Sequence, residues 1–240
     1  KLVIKIKNEV AAYKIDNTEY DMNRVGKYLN FNEFNDAIDN GAYVIDIRNQ
    51  YESEVGRFEN AILPDSDRSE DLLPIVKKLL DGHQDDKIIM YCTGGIRCEK
   101  ASSYLIKQGF KDVNQLKGGI IQYTNDIKQN RGKTKFIGKN FVFDNRMGEN
   151  ITKDIISKCH QCNEISNKHI NCNNPACHIL FIQCDKCANK FNNCCSMECC
   201  NYLMLSAEEQ KIIMKRKNII FNGQKSDRLR PKLKEIYDRN

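Results

Sequence analysis

No run of 18 apolar residues occurs anywhere in the chain, which excludes a membrane-spanning helix of ordinary length. No flavin, haem or nicotinamide motif is present either, so none of these cofactors is expected. No signal-peptide pattern stands at the start. The chain opens at Lys1 in mid-pattern, so a natural N-terminus, with any targeting signal on it, is expected upstream. Large apolar side chains are scarce between Cys159 and Cys200, too few for a core of ordinary size. Cysteine is abundant there instead. Ten of the twelve cysteines crowd into that segment, in short spacings that include two C-x2-C pairs. This is the arithmetic of metal sites in a reducing compartment, so the cytoplasm is the expected location.

The 240 residues suggest one or two domains, and 40% hydrophobic with 29% charged is ordinary for a soluble protein. The net charge of +6 is uneven. From Lys211 to the end there are ten basic and three acidic residues, a net of +7, which leaves −1 for the rest. A basic tail suits a polyanionic partner such as RNA, though a solvated helix or solubility tail has the same composition.

The chemistry concentrates in Lys87 to Gln108. An apolar run, Ile88 to Tyr91, ends at Cys92. The loop Thr93-Gly94-Gly95-Ile96-Arg97 follows, then an amphipathic pattern from Cys98 to Lys107. This reads as a buried strand, a tight loop and a helix start. Loop amides and the helix dipole should point at the Cys92 sulfur and favour its thiolate. Gly94 and Gly95 let the backbone curl, and Arg97 adds a fixed positive charge. The bland alternative is a structural cysteine at a strand end. The ring is tight: four residues separate Cys92 from Arg97. One extra sulfur atom or a small electrophile suits it better than a phosphate does. Cys98 reads either as a resolving thiol for Cys92 or as a small packing residue, and packing is the commoner role.

Secondary structure is expected as follows. Lys1 to Lys7 alternates like a half-buried strand, and 8–28 is a polar connector. Asn30 with Glu33 forms a capping box ahead of a helix over 31–40. Strands fall at 42–47, 87–91 and 113–116, and a helix at 71–81 holds Pro74 in its first turn. Ser206 with Glu209 opens a helix to about 217. Alternating strands and helices predict a parallel sheet covered on both faces. Asp46 and Arg48 end a strand at the sheet's C-terminal edge, and are expected to brace the site rather than react. Arg131, Lys133, Lys135 and Lys139 precede Phe141-Val142-Phe143. The lysines could contact phosphate, and the Phe pair is expected in a core.

The Cys92–Arg97 loop resembles the active-site loop of the rhodanese domain. Val44-Ile45-Asp46-Ile47-Arg48-Asn49 with Tyr51-Glu52 and Gly56 resembles that domain's first signature. Val113 to Tyr123 resembles its closing one, with Tyr123 where Trp is usual. A narrower resemblance covers nearly the whole chain. C-T-G-G-I-R-C-E-K-A-S, N-P-A-C-H-I-L-F-I-Q-C and C-C-S-x-x-C are similar to the bacterial tRNA uridine hydroxylase family. The resemblance implies an α/β fold: a rhodanese-like parallel sheet flanked by helices, then a Cys-rich zinc module and a basic helical tail. The expected divisions are 1–28, a remnant of an N-terminal domain and connector; 29–130, rhodanese-like; 131–205, metal-binding; and 206–240, the tail. It also implies oxygen-dependent conversion of the wobble uridine of tRNA to 5-hydroxyuridine, with molecular oxygen as co-substrate and the anticodon region of tRNA as partner. Cys92 and Arg97 would be catalytic. Arg131, Lys133, Lys135, Lys139, Lys215, Arg216, Lys217, Arg228 and Arg230 would be the RNA contacts. The loop alone would also fit a sulfurtransferase or persulfide carrier. A zinc-stabilised RNA-binding adaptor would leave the Cys–Arg loop unexplained.

Four cysteine pairs can supply two closed four-sulfur zinc sites. They are Cys159 with Cys162, Cys172 with Cys177, Cys184 with Cys187, and, by the family's C-S-x-x-C pattern, Cys195 with Cys199. Cys194 and Cys200 are then spare, and His160, His169 and His178 are possible substitute ligands. Sequential pairing (first pair with second) and crossed pairing (first with third) both fit the spacing. An iron–sulfur cluster competes with zinc, but C-x2-C knuckles favour zinc.

Overall fold

A computed structural model of the protein describes residues 13–66, 69–144, 146–216 and 221, with the backbone alone at 215 and 216. The strand expected over Lys1–Lys7 lies outside these residues. So do Lys217, Arg228 and Arg230. The chain divides into two compact units. One runs through Phe143 and takes in Gly148–Asp154; the other comprises Asp144–Met147 and the residues from Ile155 on.

In the first unit a 3-10 turn at Asn17–Glu19 leads to β1 (Lys27–Leu29). Then come α1 (Phe31–Asp39), β2 (Tyr43–Asp46), α2 (Gln50–Glu54), β3 (Gly56–Phe58) and α3 (Ser69–Leu79). They are followed by β4 (Lys87–Tyr91), α4 (Ile96–Lys107), β5 (Asp112–Leu116), α5 (Gly119–Asn130), β6 (Phe136–Asn140) and β7 (Glu149–Asn150). The main sheet has the order β1-β5-β4-β2 with every pairing parallel.

The central strand explains the architecture. Successive side chains of a strand point to opposite faces. Ile88 and Met90 meet Leu72, Leu73 and Val76 of α3 and Ala101 and Leu105 of α4. Ile89 and Tyr91 meet Phe34 and Ile38 of α1 and Ile120 and Tyr123 of α5. Both faces are covered, so the strand reads as one continuous apolar run. The capping box ahead of α1 forms as its spacing predicts: Asn30 Oδ1 accepts from the Glu33 amide at 3.1 Å and Glu33 returns the bond to the Asn30 amide at 2.9 Å.

Several expectations need revision. β1 overlaps the end of the stretch read as connector, at Lys27 and Tyr28. It is only three residues long and two of them are exposed, so it carries no hydrophobic signal. Its pairing with β5 creates it. Pro74 sits in the second turn of α3, because the helix begins by Ser69. The unit also continues past residue 130. β6 pairs antiparallel with β3, and Gly56 lies so close to Lys139 that a Cβ there would stand 2.3 Å from its carbonyl oxygen. Phe141 is buried as expected, but Phe143 is 67% exposed, its ring edge-on to Tyr51 and Phe141.

Beneath the end of β2 lies a buried ion pair. Arg48 Nε and Nη2 donate to the two carboxylate oxygens of Asp46 at 2.9 and 2.7 Å, and Nη2 also reaches the Gly56 carbonyl at 2.6 Å. The Tyr91 hydroxyl donates to Asp46 Oδ2 at 2.7 Å. Three strands are thereby tied together. Removing one partner of such a pair leaves an uncompensated charge in the core. Asp46→Asn is therefore expected to destabilise this unit by about 3–5 kcal/mol. Urea unfolding should show it; a midpoint unchanged from the parent would sink the idea.

In the second unit β8 (His169–Asn171) and β9 (Leu180–Ile182) form an antiparallel hairpin. Three helices follow: α6 (Asp185–Lys190), α7 (Met197–Leu203) and α8 (Ala207–Arg216). The expected box at Ser206 and Glu209 forms with both reciprocal bonds, at 2.8 and 3.2 Å. Among the described residues no helix is long and apolar enough to cross a membrane.

Candidate functional site

Cys92 follows the last residue of β4, and α4 starts at Ile96, two residues earlier than the apolar periodicity indicates. Gly95 caps the helix at φ 90°, a conformation other residues rarely adopt. Its amide donates to Cys92 Sγ at 3.1 Å, while its carbonyl accepts from the Cys98 amide at 3.0 Å. The closing signature supplies the other half of the cradle. At the start of α5, the Ile120 and Ile121 amides bind the carbonyls of Cys92 and Thr93 at 3.0 and 3.1 Å. These bonds turn the loop's carbonyls away from the sulfur and its amides toward it. The fit depends on Gly119, where φ is +64° and a Cβ would stand 2.5 Å from the Cys92 carbonyl oxygen.

The sulfur is correspondingly acidic. The Cys92 pKa falls to about 6. A hydrogen bond from the Cys98 thiol is the largest cause, and burial opposes it. The Arg97 charge and the Cys98 and Arg97 amides add to the lowering. Cys98 shifts the other way, pushed up first by burial and then by the Cys92 charge. Only the thiolate alkylates, so the rate of Cys92 carboxamidomethylation should be half-maximal near pH 6 and flat above it. Peptide mass spectrometry of Ile88–Arg97 measures this without interference from the other cysteines. A rate still climbing at pH 8 to 9 would contradict the cradle.

The charge expected of Arg97 is paired. Its Nη1 and Nη2 donate to both oxygens of Glu52 at 2.6 and 2.7 Å, and Nη2 also reaches Thr93 Oγ1 at 3.1 Å. Such a bidentate pair fixes geometry as well as charge. Burial would raise the Glu52 carboxyl, but the Arg97 bonds and charge hold it below the usual range. Arg97 thus clamps the loop, and its charge reaches Cys92 through space. Gly94 and Ile96 are exposed at the mouth.

Two residues here escape a reading of local pattern. Glu52 lies 45 positions from its partner; its signal is the Tyr51-Glu52 of the first signature. Tyr13 comes from the segment read as connector. Its buried hydroxyl donates to the Arg97 carbonyl at 3.2 Å, and nothing local marks it. Tyr123, in the place usual for Trp, keeps a polar tip in use. It donates to Asn35 Oδ1 and accepts from the Lys135 amide, both at 2.8 Å.

The second unit gathers its cysteines into two sets, Cys159, Cys162, Cys184 and Cys187, and Cys172, Cys177, Cys195 and Cys199. The pairing is crossed, first with third and second with fourth. Within each set the sulfurs lie within 4.8 Å of one another, and Cys162–Cys184, Cys177–Cys195 and Cys195–Cys199 are 3.5, 3.6 and 3.7 Å apart. Ligands about 2.3 Å from a tetrahedral zinc stand roughly 3.8 Å from one another, so both sets fit that ion. Cys162 is exposed and Cys184 partly so, whereas the second set is wholly buried. The spare Cys194 and Cys200 are buried outside the sets. His160 uses Nδ1 to accept from the Ile182 amide at 3.4 Å, and none of the three histidines joins a set.

Arg131 ends α5 at φ 51° and is exposed, as is Lys133. Lys135 is ion-paired with Asp39 and Glu59. Lys139 is half-buried, and burial lowers its pKa. Lys215 and Arg216 close α8 in the other unit.

Comparison with known proteins finds two matching regions. A rhodanese-like domain matches residues 30–126, and a rhodanase C-terminal region matches 137–200. A protein of Leptospira interrogans named tRNA uridine(34) hydroxylase is 50% identical over 99% of this chain, which covers 65% of that protein. Proteins of the same name from Salmonella arizonae and Photorhabdus laumondii are 47% and 46% identical over 88% of the chain, which covers 60% of each. The chain thus spans somewhat under two thirds of the length of these relatives. With a rhodanese-like sheet, a cysteine loop and a C-terminal region of paired cysteines, the chain is similar over most of its length to curated proteins that carry the name tRNA uridine(34) hydroxylase.

Proposed function

We propose that the protein hydroxylates the wobble uridine of tRNA to 5-hydroxyuridine, using molecular oxygen, in the cytoplasm where tRNA resides. The observation that carries this reading is Cys92, a thiolate at neutral pH held by the Gly95 amide, in a chain about half identical to proteins named for that reaction. The thiolate can add to C6 of uracil and leave electron density on C5, which then reacts with oxygen. The loop amides and the nearby Arg97 charge stabilise the negative charge that develops.

Two zinc ions are assigned structural roles in the second unit. Arg131 and Lys133, with Lys215, Arg216, Lys217, Arg228 and Arg230, are the residues offered to the phosphates of the tRNA. Lys139 is a weaker candidate, and Lys135 would first have to leave Asp39. The test is mass spectrometry of nucleosides from unmodified tRNA incubated with the protein and a thiol reductant, in air and under nitrogen. A gain of one oxygen on uridine, confined to the anticodon and dependent on air, is the expected result. Uridine unchanged in air would reject the reading.

The rhodanese-like match and the tight loop favour a second reading, a sulfur carrier with a persulfide on Cys92. Transfer of sulfur from thiosulfate to the Ile88–Arg97 peptide, with no oxygenated uridine, would select it.

A further inference from the structure

Hydroxylation of C5 by molecular oxygen keeps one oxygen atom in the product. The other leaves as water and needs two electrons and two protons. The active loop itself holds a group of that capacity. Cys98 sits in the first turn of α4, fully buried, with its thiol toward the Cys92 sulfur. Gly95 ties the two together, its amide on one sulfur and its carbonyl on the other residue's amide. Both belong to one apolar cluster with Ile47, Met90 and Ala101.

We propose that Cys92 and Cys98 are a dithiol couple that supplies the two electrons and closes to a disulfide once per hydroxylation. This rests on the hydroxylase reading above. The steps balance. Cys92 sulfur bonds to C6, and the carbanion at C5 takes up oxygen to give a C5 peroxide, which is protonated. The Cys98 sulfur attacks the distal peroxide oxygen. The O–O bond breaks, leaving a hydroxyl on C5 and a sulfenic acid on Cys98. Loss of the C5 proton expels Cys92 from C6 and restores the double bond as 5-hydroxyuridine. Cys92 then attacks the sulfenic sulfur, releasing water and forming the disulfide. In sum, uridine, oxygen and two thiols give hydroxyuridine, a disulfide and water. A low-molecular-weight thiol reduces the pair for the next turnover.

The opposed protonation states suit this division of work. One sulfur is the anion that adds to carbon, and its partner keeps a proton in a site where a second thiolate would be repelled. The loop sequence makes the pair easy to observe. Trypsin cleaves after Lys87, Arg97 and Lys100, so a bond between the two cysteines joins the Ile88–Arg97 peptide to Cys98–Lys100.

The experiment uses the metal-loaded protein, reduced, freed of thiol and mixed with unmodified tRNA in air. Hydroxyuridine should stop at one equivalent per protein, with the joined peptides rising in step, and dithiothreitol should restart it. Cys98→Ser should make no product with dithiothreitol present while still alkylating at Cys92, which shows its loop intact. Product beyond one equivalent without thiol, or product with no joined peptides, overturns the couple and leaves the hydroxylase reading standing. No product from the parent protein even with dithiothreitol rejects both.

Discussion

Cys92→Ser is expected to abolish uridine hydroxylation, with a loss of at least roughly 10³-fold. The substitution changes one atom. Serine fits the same buried position and can accept from the Gly95 amide in place of sulfur. What disappears is the thiolate. The cradle brings the Cys92 thiol to about 6, and a hydroxyl starts so much higher that the same amides leave it protonated at neutral pH. Addition to C6 of uracil then has no nucleophile. The fold should survive, since the carbonyl clamp from Ile120 and Ile121 and the Arg97–Glu52 pair do not involve the side chain replaced. The checks are nucleoside mass spectrometry for activity and the thermal midpoint for the fold. A serine variant with ordinary amounts of hydroxyuridine would remove Cys92 from the chemistry.

The second large effect concerns the metal. Cys195→Ser should unfold the second unit, because Cys195 stands 3.6 Å from Cys177 and 3.7 Å from Cys199 in the buried set. Its apolar cluster is built largely around the cysteines themselves. Without an ion, four close thiols must stay protonated or repel one another as thiolates. A structural zinc contributes on the order of 10 kcal/mol of folding energy in small domains, more than such a cluster can replace. Circular dichroism and limited proteolysis should report collapse of the second unit, and metal analysis should show less bound metal than in the parent protein. Cys162→Ser should be milder, since that ligand is exposed and water can take its place. Chelators should likewise empty the first set sooner. A fully chelated protein that kept the second unit resistant to protease would show that zinc does not hold it.

What could be read without coordinates was what neighbours in sequence decide among themselves. The apolar run Ile88 to Tyr91 follows from burial on both faces. The Cys92–Arg97 loop follows from two glycines between a strand and a helix, and the Asn30–Glu33 cap from two side chains three residues apart. The eight cysteines offered as ligands are those that gather, because a spacing of two to four residues within each pair is a local constraint on how two sulfurs reach one ion. Position along the chain sufficed wherever the partners lay within one turn or one loop.

Contacts that close over long stretches were settled by packing. Crossed and sequential cysteine pairing satisfy the same short spacings; the crossed choice is made by the β8–β9 hairpin and the helices after it, which set Cys184 beside Cys162. Phe143, expected in a core, is exposed for a similar reason, and Lys135, offered as a phosphate contact, is engaged by a carboxylate. A lysine's availability depends on whether Asp39, 96 residues away, is at hand, and a phenylalanine's burial depends on whether any surface closes over it. The counterion of Arg97 was not named because it comes from α2, and Tyr13 went unread because its partner is a backbone carbonyl 84 residues on. A backbone acceptor has no sequence signature, and a carboxylate 45 residues distant has none that spacing can rank. The acidic sulfur was therefore legible in its own loop, while the groups that hold the loop became visible when the fold brought α2, β4, α4 and α5 together.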